Sequence, residues 1–141
     1  MFQKANRNQS GVARNHFQGR DMRVLFVCSA GCLRSPTGAN VGYEKFGWNT
    51  RSCGSTLSFA IIPITETLII WADRIVFVNR DNLEEVKSYA SDALKGKEIQ
   101  VLDIVDSYGY NDVVLKQAIE HQLLHTTPYV YREETTTGED K

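Results

Sequence analysis

The sequence has few cysteines, almost no net charge and no long hydrophobic run, and each shortage excludes a class of protein. Three cysteines in 141 residues, without paired metal-ligand spacing or a secretory signal, argue against a disulfide-bonded secreted domain, so we expect reduced thiols. The longest apolar runs have the length of strands, which excludes a transmembrane helix. The N-terminus lacks the apolar core of a signal peptide, which favours the cytoplasm. A formal net charge of −1 argues against nucleic acid as a general partner.

The remaining composition is typical of one globular domain with two different ends. A hydrophobic content of 42% in 141 residues is enough for a core, and no repeat or low-complexity linker divides residues 22–130. Residues 1–21 are basic and rich in Asn, Gln and Gly, which predicts a disordered leader. A basic arm that contacts RNA or an acidic partner is the alternative for this segment. Residues 131–141 are polar, and we expect a disordered tail there.

The most informative segment is residues 22–37, MRVLFVCSAGCLRSPT, in which an apolar run leads to Cys28 and, after five residues, to Arg34. The continuous apolar run is typical of a parallel strand that is buried on both faces. We predict Ser35 as the N-cap of a helix and Pro36 as its first residue. Loop N–H groups and a helix N-terminus both favour a bound anion. The segment therefore predicts a phosphate-binding loop, which we name the phosphate loop. Its residues are Ser29, Ala30, Gly31, Cys32, Leu33 and Arg34.

Strands and helices alternate along the rest of the chain. We predict strands at residues 22–28, 49–53, 74–79 and 99–104, and helices at residues 35–47, 65–72, 81–90 and from Asp112 onward. Thr65 is the expected N-cap of the second helix. This order predicts an α/β fold with a single four-stranded parallel sheet and helices on both faces, a flavodoxin-like three-layer arrangement. Ligands of such sheets bind at the carboxyl ends of the strands, so Cys28 and Asp106, which both follow a strand, are expected to meet.

The residues of the loop suit nucleophilic chemistry on phosphorus. A helix N-terminus and the neighbouring Arg34 both favour the thiolate form of Cys28, which can attack phosphorus and form a phosphocysteine. Loop amides and a bidentate guanidinium match the charge that spreads over three phosphoryl oxygens. We expect Ser35 to hydrogen-bond the sulfur and to assist its departure in the second step. No cluster of ligands suggests a metal, and no cofactor is expected.

A leaving oxygen needs a proton, and Asp106 is the predicted general acid. Asp103, at the end of the fourth strand, is the rival, whereas Asp112 is assigned to capping the last helix. Three aromatic side chains are candidates for a wall beside the substrate, namely Tyr108 and Tyr110, which follow the acid, and Phe59 on the loop 54–63. The histidines lie away from these motifs and are given surface or capping roles: His16, His121 and His125.

Residues 22 to about 125 resemble the low-molecular-weight protein tyrosine phosphatases. Cys28, Arg34, Ser35 and Pro36 match the family's Cys-x5-Arg-Ser-Pro loop, and the segment 105–108 is similar to its Asp-Pro-Tyr acid segment. Segments 50–55 and 71–78 resemble the family's second strand with its following turn and the entry to its third strand. The segment 102–108 is most similar to a compact bacterial branch of predicted phosphatases. The resemblance implies the phosphotyrosine phosphatase I-like fold and a protein-tyrosine-phosphatase, with phosphotyrosine protein or a small phosphate ester as substrate.

The chain departs from the family pattern in its two functional loops. Ala30 and Gly31 replace Gly and Asn, Ser107 replaces the Pro after the acid, and Leu33 stands where the family has a second cysteine. Cys32 lies one position earlier. It is either a disulfide partner that protects Cys28 from oxidation or a small residue packed under the loop.

Other functions of similar loops fit the sequence less well. An arsenate reductase needs further cysteines downstream, and none follows Cys53. A cysteine phosphocarrier does not need Arg34 and an acid. The larger tyrosine phosphatases have His where this chain has Val27. The alternative from another class is a phosphosite-binding module, or degenerate phosphatase, that holds phosphate without efficient turnover.

Overall fold

The computed structural model describes residues 2–5 and 22–132, in which a mostly parallel sheet carries helices on both faces. Its elements in chain order are β1 (Arg23–Cys28), α1 (Arg34–Phe46), β2 (Asn49–Gly54), α2 (Glu66–Trp71), β3 (Arg74–Phe77), α3 (Arg80–Leu94), β4 (Glu98–Val101), α4 (Val113–His125) and β5 (Tyr129–Val130). The predicted leader, apart from residues 2–5, and most of the predicted tail lie outside the described residues, as does His16.

The four predicted strands form a parallel sheet, and a fifth strand extends it. The strand order is β2-β1-β3-β4-β5, with β1 paired in parallel to both β2 and β3, and β3 paired in parallel to β4. The short strand β5 pairs antiparallel with β4. The prediction of an α/β fold with four parallel strands is confirmed, but the count was one strand short. Two residues, Tyr129 and Val130, are too few to show a periodic pattern.

Alternate residues of β1 pack into two separate cores, which explains its unbroken apolar sequence. Val24, Phe26 and Cys28 face the layer of α1 and α4. Leu25 and Val27 face the layer of α2 and α3. The side chain of each strand residue points to the opposite face from that of its neighbour, so a strand between two helical layers needs apolar residues at every position. The predicted three-layer arrangement is confirmed.

Two of the three predicted helix caps are confirmed and one is wrong. The Thr65 side chain accepts a hydrogen bond from the Leu68 N–H at 3.2 Å, and Asp112 accepts from the Val114 N–H at 2.8 Å. Ser35 does not cap α1. That helix begins at Arg34, after Leu33, without any side-chain cap, and Pro36 is its third residue rather than its first. The Ser35 hydroxyl is instead buried beneath the phosphate loop.

Element ends differ from the predictions where tertiary contacts decide them. Helix α3 continues to Leu94, four residues beyond the predicted end, with non-helical dihedrals at Ala90 (φ −140°, ψ 29°). Strand β4 ends at Val101 rather than at residue 104. The Leu102 and Ile104 N–H groups nevertheless still donate to β3 and to the residue after it, at 2.8 and 2.9 Å. The chain therefore keeps its direction as far as Ile104, and this carries the predicted acid segment, residues 105–108, to the same edge as Cys28.

Residues outside the predicted domain limits of 22–130 also contact the body of the fold. The Glu66 N–H donates to the Gln3 carbonyl at 2.9 Å, and the Phe2 ring lies 5.6 Å from the Tyr89 ring. Tyr131 is 6% exposed and belongs to the core beneath α3. Each helix in the described part of the chain is too short or too polar to cross a lipid bilayer.

Candidate active site

The loop between β1 and α1 closes around the sulfur of Cys28. Cys28 is 3% exposed, and its Sγ accepts a hydrogen bond from the Gly31 N–H at 3.2 Å. Gly31 has a φ of +79°, and a Cβ at this position would lie 2.8 Å from the carbonyl carbon of Cys53 and 2.9 Å from the nitrogen of Gly54. Only glycine combines this backbone conformation with so close an approach to β2. The replacement of the family's asparagine is thus built into the packing of this loop.

Ser35 contacts the sulfur from the helix side. Its Oγ lies 3.2 Å from Cys28 Sγ, with the thiol donating to the hydroxyl, and the hydroxyl donates to the Cys53 carbonyl at 3.2 Å. Ser35 is fully buried. Because a hydroxyl can rotate to suit its partner, the same pair of atoms can form a hydrogen bond from Ser35 to a thiolate.

Arg34 is held by the segment that follows β4. The side chain of Arg34 is buried, and its Nη1 donates to the Ile104 carbonyl at 3.0 Å. Its Nη2 donates to Ser29 Oγ at 3.4 Å, and its Nε lies 3.6 Å from Oδ1 of Asp106. The guanidinium therefore links the phosphate loop to the acid segment across the end of the sheet.

The predicted nucleophile, arginine and acid line one small cavity. Its volume is about 110 Å³, and its walls are Cys28, Ser29, Ala30, Cys32, Leu33, Arg34, Phe59 and Asp106. A space of this size admits a phosphoryl group and leaves the rest of a substrate outside. Asp103 does not line the cavity, and its backbone N–H and C=O are both hydrogen-bonded to the Gln122 side chain. The geometry therefore supports Asp106 over its rival.

Of the three predicted wall residues, only Phe59 lies at the cavity. Tyr108 packs beside the core under α1 and α4, and the Tyr110 hydroxyl accepts a hydrogen bond from Asn40 at 3.0 Å. The segment that contains these tyrosines also contacts α1 through its backbone, since the Asn111 N–H donates to Thr37 Oγ1 at 2.8 Å. The two tyrosines thus hold the acid segment to the body of the fold.

Exposed apolar side chains lie at the cavity and on the segments beside it. The segment 56–62 is fastened to the phosphate loop by the Thr56 N–H, which donates to the Ser29 carbonyl at 3.0 Å, and by the Ile61 N–H, which donates to the Ala30 carbonyl at 3.1 Å. This segment contributes three exposed apolar residues, and the phosphate loop and the segment after β4 contribute one each. Together they are called the apolar rim: Leu33, Phe59, Ile61, Ile62 and Val105. Exposed apolar patches of this kind mark binding surfaces.

The two other cysteines differ in their access to the cavity. Cys53 is buried on the α2 and α3 face of the sheet, opposite to Cys28, and its pKa is raised by burial and by the nearby Cys28. Cys32 is exposed and lines the cavity, so the interpretation in which it packs under the loop is wrong. His121 and His125 are exposed on α4, away from the site. No group of three potential metal ligands occurs in the described part of the chain.

Because Cys32 lines the same cavity as Cys28, a disulfide between them stays a prediction. We expect hydrogen peroxide to inactivate the protein, dithiothreitol to restore most of the activity, and Cys32→Ser to recover far less of it. Without the second thiol, oxidation of Cys28 proceeds to the sulfinic acid, which thiols do not reduce. Equal recovery of the variant and the wild type would show that Cys32 does not protect the nucleophile.

One residue at the site was not found by sequence reasoning. Asn82 on α3 is 2% exposed, and its Nδ2 donates to Ser29 Oγ at 3.1 Å and to Ser55 Oγ at 3.0 Å. The only signal in the sequence is an amide next to the inward-facing Leu83 on an otherwise charged helix. Such a signal does not distinguish a surface asparagine from a buried one.

Comparisons with known proteins place this fold. No protein-family model matches the chain, and no curated protein is significantly similar to it in sequence. The structure of YwlE arginine phosphatase from Geobacillus stearothermophilus matches with a TM-score of 0.53 at 19% identity, over 72% of this chain and 86% of that one. YfkJ from Bacillus subtilis matches with a TM-score of 0.50 at 20% identity, over 75% of this chain and 95% of that one. A low molecular weight protein tyrosine phosphatase from Bacillus subtilis has a TM-score of 0.47 at 16% identity, over 72% of this chain and 89% of that one.

The chain therefore has the low-molecular-weight phosphatase fold, as the resemblance of residues 22–125 implied. Its sequence identity to these structures is 20% or less, so the likeness is one of fold. One of the proteins with this fold is an arginine phosphatase, as its name states. The substrate of this chain has to be argued from its own residues.

Proposed function

We propose that this protein is a cysteine-dependent phosphatase that hydrolyses phosphate monoesters, with protein phosphotyrosine as its substrate. The observation that carries the proposal is the meeting of Cys28, Arg34 and Asp106 in one cavity of about 110 Å³. A binding module needs the loop and the arginine alone. The Asp106 carboxylate at the cavity is needed only to transfer protons during turnover. Its presence favours an enzyme over a phosphosite-binding module.

In the first step, the thiolate of Cys28 attacks phosphorus in line with the leaving oxygen. The S–P bond forms as the P–O bond breaks, and Asp106 gives its proton to the departing oxygen. Arg34 and the loop amides carry the charge that spreads over the three equatorial oxygens. The buried hydrogen bond from Arg34 to the Ile104 carbonyl keeps the guanidinium in place before substrate binds.

In the second step, water attacks the phosphocysteine. The Asp106 carboxylate takes a proton from the water, the O–P bond forms and the S–P bond breaks. The electron pair returns to sulfur, where Ser35 Oγ at 3.2 Å can donate a hydrogen bond to the departing thiolate. Inorganic phosphate is released, and the free thiolate is restored.

The surroundings of the cavity support an aryl phosphate over a phosphorylated guanidinium. Asp106 is the only carboxylate among the lining residues, and it is needed as the acid. A phosphoarginine side chain would bring its charged guanidinium to the apolar rim, which costs desolvation without a partner. A phenyl ring instead finds Phe59, which is 60% exposed beside the loop and can stack on it.

Substrate choice is tested with three peptides of one sequence that carry phosphotyrosine, phosphoserine or phosphoarginine at the same position. We expect kcat/KM to be at least about tenfold higher for phosphotyrosine, which corresponds to about 1.4 kcal/mol. Phe59→Ala should lower kcat/KM for that peptide about 2- to 10-fold, as the loss of an aromatic contact predicts. Tyr43→Ala, which removes a surface aromatic of α1, is the control and should have no effect. A preference for phosphoarginine would refute the proposed substrate.

A further inference from the structure

A chain of buried and partly buried hydrogen bonds runs from α3 to the phosphate loop, and it starts at Glu85. The Glu85 carboxylate accepts hydrogen bonds from the Ser55 and Thr56 hydroxyls, both at 2.8 Å. The Ser55 hydroxyl therefore donates its only hydrogen to Glu85. The oxygen of Ser55, which is fully buried, is then left as an acceptor.

This polarity fixes the orientation of the Asn82 amide. Only the amide nitrogen can serve Ser55 Oγ at 3.0 Å, and its second hydrogen is directed to Ser29 Oγ at 3.1 Å. Among the described residues, the buried Oδ1 of Asn82 has no hydrogen-bond partner. A buried acceptor without a partner is costly. The hydrogen bonds that hold this amide in place are therefore the two that its nitrogen donates.

The hydroxyl of Ser29 is the end of the chain. Its oxygen accepts from Asn82 Nδ2 and from Arg34 Nη2, the latter at 3.4 Å. A serine oxygen has two acceptor positions and one hydrogen. With both acceptor positions used, the hydrogen remains for a third group, and Ser29 lines the cavity together with Cys28.

We propose that Asn82 is a positioning residue that makes Ser29 a hydrogen-bond donor to the bound phosphoryl group. The inference rests on the proposed phosphatase function and adds a residue to it. Glu85 sets the direction of the chain through Ser55, Asn82 transmits it, and Ser29 delivers one O–H to a phosphoryl oxygen. The same contacts hold Ser29 Oγ against Arg34, so the hydroxyl and the guanidinium face the anion together.

The test is a double-mutant cycle on anion affinity, which does not require turnover. The dissociation constants of orthophosphate and vanadate are measured by calorimetry for the wild type, Ser29→Ala, Asn82→Ala and the double variant. Ser29→Ala should weaken both anions roughly 10- to 100-fold, as expected for a hydrogen bond to a charged group. Asn82→Ala should weaken them in the same direction. The double variant should be no weaker than Ser29→Ala, because Asn82 acts through Ser29.

Asn82→Asp keeps the shape of the side chain and serves if Asn82→Ala does not fold. A carboxylate at this position accepts from Ser29 and turns its hydrogen away from the anion, so affinity should fall at least as far as in Ser29→Ala. In the Ser29→Ala background, Asn82→Asp should cause a smaller further loss of anion affinity than it does in the wild type. If the aspartate acted only by repelling the anion, its effect would be the same in both backgrounds. Gln100→Ala is the matched control, since Gln100 is a buried amide (1% exposed) that donates to Leu123 and Thr126, far from the loop. It should lower the melting temperature and leave anion affinity unchanged.

The outcomes separate this role from the proposed function. The positioning role is overturned if the wild type binds the anions and the losses of affinity in Ser29→Ala and Asn82→Ala multiply in the double variant. It is also overturned if Asn82→Asp binds the anions as tightly as the wild type does. In both cases the phosphatase proposal stands. If the wild type binds both anions and the cycle is non-additive but no ester is hydrolysed, the positioning role holds and the proposed turnover fails. If the wild type binds neither anion, both are refuted.

Discussion

Replacing Cys28 with serine is expected to reduce the hydrolysis of an aryl phosphate by on the order of 10⁴-fold or more, the scale of losing a nucleophile. The substitution preserves the hydrogen bond from Gly31 and the contact with Ser35. It changes only the attacking atom, because a serine hydroxyl is not ionised at neutral pH. The measurement is steady-state turnover at mildly acidic pH.

Cys53→Ala is the matched control for this loss. Cys53 lies on the opposite face of the sheet, and burial raises the pKa of its thiol, so it takes no part in the chemistry. Its substitution should leave turnover near the wild-type value. Full activity in Cys28→Ser would contradict the thiol mechanism, and so would equal losses in the two variants.

Replacing Asp106 with alanine is expected to slow the hydrolysis of esters with poor leaving groups by about 10²- to 10⁴-fold, the usual contribution of a general acid. Esters with strongly acidic phenols leave without a proton, so their hydrolysis should be affected much less. The measurement is the dependence of kcat/KM on the acidity of the leaving phenol, which should be steeper in the variant than in the wild type.

Asp103→Ala provides the comparison for the acid. Asp103 follows the same strand but does not line the cavity, and its backbone is bound to Gln122. Its substitution should leave the leaving-group dependence as it is in the wild type. The reverse order of effects would show that Asp103 is the acid.

The parts of the site that the sequence predicted are those with strong local signals. The apolar run of β1 indicates a strand buried on both faces, and Cys28 and Arg34 flank a loop length that suits one anion. Asp112 and Thr65 cap helices because their short side chains reach nearby N–H groups. Gly31 has a positive φ, a conformation that glycine takes without strain.

The parts that the sequence missed depend on contacts between distant segments. Ser35 has every local property of an N-cap, yet its hydroxyl is used by Cys28 and Cys53. Asn82 is separated from Ser29 by 53 positions and is buried by the packing of α3. Tyr108 and Tyr110 were expected at the cavity, but Tyr108 packs beside the core and Tyr110 is hydrogen-bonded to Asn40. No period or spacing encodes such contacts, which only the fold brings together.

The most direct test of the central claim is to trap the covalent intermediate. The protein is mixed with an aryl phosphate, quenched in acid during turnover, and its phosphorylated residue is mapped by mass spectrometry. We expect one phosphoryl group per molecule on Cys28 of the wild-type protein. A phosphoryl group on any other residue would contradict the proposed phosphocysteine mechanism, and so would turnover in Cys28→Ser at the wild-type rate.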